Sequence, residues 1–116
     1  MRKTTNLFKA LSDPNRLRIL KMLEIRDLCV CEITEALGLS VSTVSKHLSV
    51  LRNTDLIWGK KDGKWVDYGL NKRSSDPQIK EILKMIHSKI DDDTLFQEDA
   101  QKIRSTSREI ICGIKT

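Results

Sequence analysis

Aromatic residues make up only 4% of this 116-residue chain, and glycine and proline are scarce, at 5 and 2 residues. That scarcity excludes collagen-like, mucin-like and low-complexity polymers. No apolar run approaches the ~20 residues needed to span a bilayer. Met1 to Leu11 carries Arg2, Lys3 and Lys9 without a sustained apolar stretch, so no signal peptide is expected. The default expectation is a cytoplasmic protein with no membrane partner. Cysteine is limited to Cys29, Cys31 and Cys112, an odd number that argues against a disulfide framework. Reduced thiols are then free for metal binding or redox sensing. What the chain does contain is 32% charged and 39% hydrophobic residues. The length suits one domain with a core built from Leu and Ile.

The charge is uneven. Residues 1–75 hold 14 Lys/Arg against 8 Asp/Glu, whereas residues 76–116 hold 7 against 8. A basic front two-thirds points to a polyanionic partner there, with a solvated basic surface as the plainer alternative.

Residues 4–11 read as a short helix with Leu7, Phe8 and Leu11 on one side. Asp13 is placed to cap a second helix that opens on Pro14, whose missing amide hydrogen costs nothing at that position. Leu17, Ile19, Leu20 and Leu23 form its apolar side. A third helix is expected over about 31–37, closed by Gly38. Ser40 caps a fourth over about 41–53, with Val41, Val44, Leu48 and Leu51 on one stripe of helical period. The period then changes. Ile57-Trp58 begins a strand, Asp62-Gly63 signals a hairpin turn, and Trp65 to Tyr68 returns. Asp76-Pro77 opens a fifth helix with the apolar stripe Ile79, Ile82, Leu83, Ile86 and Ile90. Thr94 and Gln97 have capping-box spacing for a sixth helix running toward Cys112.

A helix-turn-helix followed by a β-hairpin suits DNA, because the second helix of such a unit fits the major groove. The face of the fourth helix opposite its apolar stripe offers Ser42, Lys46 and Ser49, flanked by Thr43 and Ser45, with Ser40 at its start. No carboxylate lies between Glu35 and Asp55. The hairpin adds Lys60, Lys61 and Lys64 around its tip, placed to follow a phosphate backbone or minor groove. A solvated loop is the alternative for that tip. His47 sits nearer the buried edge and reads first as structural, second as a DNA contact. Nothing suggests an enzyme: there is no Ser/His/Asp set, Gly-rich phosphate loop or His/Glu metal cluster, and Glu32 and Glu35 read as exposed charges of the third helix.

Three blocks in this order resemble the arsenic-repressor/metal-sensor (ArsR–SmtB) family of winged helix-turn-helix regulators. They are Leu7 to Leu20 (LFKALSDPNRLRIL), Leu28 to Glu32 (LCVCE) and Val44 to Arg52 (VSKHLSVLR). The resemblance covers roughly residues 5–92. It implies a mainly α fold with a small β-hairpin wing (α+β), five to six helices, and a homodimer joined through the first and last long helices. It further implies occupation of double-stranded operator DNA until a toxic metal or metalloid binds. The expected division is residues 1–91 as a winged helix-turn-helix DNA-binding and dimerisation domain, and 92–116 as a C-terminal helical extension carrying Cys112.

Cys-x-Cys spacing alone leaves chelation and simple apolar packing both open. Residues i and i+2 lie ~200° apart on a helix but share a face when extended, so chelation by Cys29 and Cys31 should distort the first turn of the third helix. The resemblance implies that these two are effector ligands. Soft thiolates suit As(III) or Sb(III), with Cd(II) and Pb(II) possible, and no organic cofactor is expected. Some arsenic-responsive members carry a third cysteine where this chain has Thr34. A third donor would then be Cys112, whose alternative is packing among Ile110, Ile111 and Ile114. The family's zinc site on the last interface helix has only His87 to offer here, which reads as structural. Two other functions remain in view: a repressor whose thiols sense redox or reactive sulfur, pairing Cys31 or Cys29 with Cys112, and a small metal buffer or chaperone that binds no operator.

Overall fold

A computed structural model describes residues 1–90 and 94–105. It holds six helices and a three-stranded antiparallel sheet: α1 (Arg2–Leu11), α2 (Pro14–Leu23), β1 (Leu28–Cys29), α3 (Val30–Leu37), α4 (Val41–Asn53), β2 (Ile57–Asp62), β3 (Trp65–Leu70), α5 (Pro77–Lys89) and α6 (Thr94–Arg104). This is a winged helix-turn-helix, mainly α with a hairpin wing, as expected from the sequence.

The caps fall where the sequence puts them. Asp13 accepts hydrogen bonds from the amides of Asn15 and Arg16 and starts α2 at Pro14, and Asp76 accepts from Gln78 to start α5 at Pro77. Gly38 closes α3 at φ +70°, where its amide donates to the Thr34 carbonyl and a side chain would be strained. At the far end of α4, Leu56 N–H reaches Leu51 O and Asp55 N–H reaches Arg52 O, a Schellman closure with Asp55 at φ +64°.

The core runs from Leu7 and Ala10 through Ile19, Leu20, Leu23, Ile33, Leu48 and Leu51 to Ile79, Ile86 and Ile103. Four details depart from the sequence reading. Phe8 is 61% exposed while Ala10 takes the inward place, because α1 turns Leu7 and Ala10, three residues apart, toward the core. Val41 is 55% exposed, so the buried stripe of α4 begins at Val44. Leu28 and Cys29 form a strand paired to Tyr68 and Asp67 of β3, a third strand that two residues could not announce. Asp62 pairs with Trp65, so the turn is Gly63-Lys64 with Gly63 at φ +62°.

The segment after α5 returns to the body. Ile103 of α6 is buried, and the bidentate pair of Arg18 Nε and Nη2 with Asp99 Oδ2 and Oδ1, both 2.9 Å, ties α6 to α2. Lys102 Nζ donates to the Ala36 carbonyl at 3.1 Å, fixing the same helix to the end of α3. None of the described helices is long and apolar enough to cross a membrane.

Candidate nucleic-acid interface and thiol site

Ser40 begins the exposed face of α4. Its Oγ accepts the Thr43 amide at 3.2 Å and lies 2.9 Å from Thr43 Oγ1 and 3.3 Å from Ser42 Oγ. Three hydroxyls are thus linked at the helix start before any partner arrives. Ser42, Thr43, Ser45, Lys46 and Ser49 are all exposed, while Val44, Leu48 and Leu51 hold the opposite face in the core. His47 is half-buried, with Nδ1 3.2 Å from Arg16 Nη1. Arginine only donates, so Nδ1 is the acceptor in this contact. The same guanidinium donates to the Ala10 carbonyl at 2.7 Å and the Lys9 carbonyl at 3.1 Å. Arg16 therefore joins the end of α1 to α4, a link between residues 31 apart that spacing does not signal.

Lys60, Lys61 and Lys64 are exposed on the wing. Lys60 stands opposite Asp67 across the ladder, while Lys61 and Lys64 stand nearer the tip. The wing is seated by Trp58, whose ring lies so close to Gly69 that a Cβ there would sit 2.4 Å from it. Only glycine allows that approach.

Cys29 and Cys31 lie at the start of α3, the helix packed against α4. Cys29 is buried in extended backbone at φ −91°, ψ 168° and is the N-cap of α3. Its cap is reciprocal: the sulfur accepts the Glu32 amide, and Glu32 Oε1 accepts the Cys29 amide at 3.0 Å. Glu32 is 2% exposed and its second oxygen meets Arg26 Nη1 at 2.8 Å, so it is a buried structural carboxylate and not the exposed charge expected from the sequence. Burial pushes the Cys29 thiol above its ordinary range, and the amides of Glu32 and Cys31 only partly oppose this. Arg26 thus faces Glu32 as its ion partner. Cys31 is half-buried, two residues into the cap, and disulfide-bonded. The pair straddles the strand-to-helix junction, with Cys29 ending β1 and Cys31 in the first turn of α3. Cys112 lies outside the described residues. Among the described residues no three His, Cys, Asp or Glu side chains cluster as a metal site. His87 is exposed, with Nδ1 3.5 Å from Glu24 Oε1.

Such an arrangement, an exposed hydroxyl- and lysine-bearing helix beside a basic hairpin, defines a winged helix-turn-helix DNA-binding protein. Residues 13–57, from the cap of α2 to the start of β2, match the family model described as bacterial regulatory protein, arsR family. Over 85 residues the chain is 38% identical to an uncharacterized HTH-type transcriptional regulator of Methanocaldococcus jannaschii, covering 72% of this chain and 91% of that one. It is 46% identical over 66 residues to the arsenical resistance operon repressor of Escherichia coli, 56% of each chain, so the match spans just over half of that repressor. Among solved structures, reduced HlyU from Vibrio cholerae superposes with a TM-score of 0.61 at 35% identity, over 74% of this chain and 86% of that one. The chain belongs to the arsR family of bacterial regulatory proteins, and is a transcriptional regulator, not an enzyme.

Proposed function

We propose that this regulator is a homodimeric repressor that occupies operator DNA and leaves it when a thiophilic metalloid binds its cysteine thiolates. As(III) or Sb(III) is the first choice of effector, and Cd(II) or Pb(II) would meet the same soft donors. Residues Ser42, Thr43, Ser45, Lys46 and Ser49 of α4 would face the major groove, with His47 at the edge and Ser40 ordering the first turn. Lys60, Lys61 and Lys64 would lie along the flanking phosphates. The exposed Phe8 of α1 and Met85 of α5 suit the dimer face.

One observation carries the effector reading: Cys29 is the N-cap of α3, and α3 packs against α4. The donor type fits a thiophilic ion once the Cys31 disulfide is reduced: Cys29 and Cys31 are then the two thiols among the described residues, and a third would come from Cys112. Binding would use the Cys29 sulfur that now accepts the Glu32 amide. Loss of that acceptor weakens the start of α3, and the repressor moves between two states only as far as the ligand's affinities for them differ. The relative named an arsenical resistance operon repressor supports the same choice. Cys29→Ser and Cys31→Ser should each bind a duplex from the upstream region as wild type does, yet fail to leave it on arsenite addition, read by fluorescence anisotropy. Normal release by either variant would disprove the site. Cys112→Ser decides the third donor.

A second reading is favoured by the disulfide bond of Cys31 and by likeness to a structure described as reduced HlyU. Here Cys31 and Cys112 would lose two protons and two electrons to a polysulfide or peroxide, while Cys29 stays a buried thiol. The readings separate cleanly: polysulfide would then release wild type and Cys29→Ser but not Cys31→Ser, whereas arsenite release requires Cys29.

A further inference from the structure

The first turn of α4 holds an apolar side chain that the fold does not use. Val41 occupies the first helical position, between the cap Ser40 and Ser42, and is 55% exposed. Val44, Leu48 and Leu51 already fill the core side of the helix. On an ideal helix Val41 lies about 40° from Ser45, one turn ahead of it, so it shares the edge of the exposed face. The surroundings are wrong for a protein partner, which would want more apolar area. Ser40, Ser42, Thr43, Ser45 and Lys46 are hydroxyls and a cation, and residues 36–54 contain no carboxylate.

Resting on the DNA-binding reading of α4, we propose that Val41 reads a thymine in each half-site through its C5 methyl group. N-terminal residues of a recognition helix approach base edges. The only apolar group those edges present in the major groove is the thymine methyl. Valine is suited to it: β-branching holds χ1 nearly fixed in a helix, so little rotamer freedom is lost on contact. The Ser40–Thr43 and Ser40–Ser42 hydroxyl contacts steady the turn on which it stands.

The test uses a duplex selected from a random library by the wild-type protein, with each thymine replaced in turn by deoxyuridine, which deletes only the methyl. At one thymine per half-site, wild-type affinity should fall about fourfold, the value of burying one methyl-sized group. Val41→Ala, which removes the contact in both half-sites, should bind the unmodified duplex about sixteenfold more weakly and should ignore that replacement. Val41→Thr, which keeps one methyl and the branch, should retain the response, and circular dichroism should show both variants folded as wild type. The proposal is overturned if Val41→Ala binds as wild type, or if both proteins lose the same affinity at every replaced thymine. Failure of wild type to select any duplex would overturn the DNA-binding reading itself, and this inference with it.

Discussion

Lys46 is the one cation on the exposed face of α4, in the middle of five hydroxyl-bearing neighbours, and Arg52 enters only at the last turn. Its long chain is where a charge-assisted contact to a base or phosphate must come from on that face. Lys46→Ala should weaken operator binding by about 1–3 kcal/mol with relaxed specificity if it meets a base edge, or uniformly with a salt slope lower by about 1 if it meets phosphate. Titrations at several salt concentrations distinguish these, and an unchanged affinity would remove it from the interface. The neighbouring His47 plays a different part. Its Nδ1 accepts from Arg16, whose other donors hold the Lys9 and Ala10 carbonyls, so the imidazole fixes the angle between α1 and α4.

Helix α6 is the element whose role is least local. Its Asp99 is 1% exposed and, among the described residues, is bonded to Arg18, 81 positions away. Removing one partner of such a pair leaves a charge short of compensation, so Asp99→Ala should lower stability by about 3 kcal/mol in urea unfolding. A loss under 1 kcal/mol would mean that Ile103 and the Lys102–Ala36 contact hold α6 unaided. This pairing also marks the limit of what the sequence discloses. Asp13-Pro14, Gly38, Ser40 and Asp76-Pro77 are local signals, since each acts on amides or dihedrals within a few residues, and they placed the helices correctly. Glu32 and Asp99 look like ordinary surface carboxylates, because their partners Arg26 and Arg18 are visible only once the chain has folded. Val41 misled the periodicity argument for a related reason: a stripe of period 3.6 says which side is apolar, not where the neighbouring elements end. The exposed hydroxyls and lysine of α4 were legible through composition, and the proposal for Cys-x-Cys came through resemblance, but β1 was not legible. Two residues carry no pattern of their own.

At the scale of the molecule the uneven charge acquires a place. The basic excess of residues 1–75 includes the lysines of the wing and Lys46 and Arg52 of α4, all exposed. A two-fold dimer would set two such faces about one DNA turn apart. Phe8, 61% exposed on α1, should lie in the dimer contact, so Phe8→Glu should shift the protein to monomer in sedimentation, and an unchanged dimer would place the contact elsewhere. The proposed mechanism has thiol chemistry at the start of α3 govern DNA binding by α4. Its most direct test is the fluorescence anisotropy of reduced wild-type protein on its upstream duplex, titrated in parallel with arsenite and polysulfide. Binding by the reduced protein, followed by release with one of them, is the predicted result. Tight arsenite or polysulfide modification that leaves the protein–DNA complex intact would contradict it.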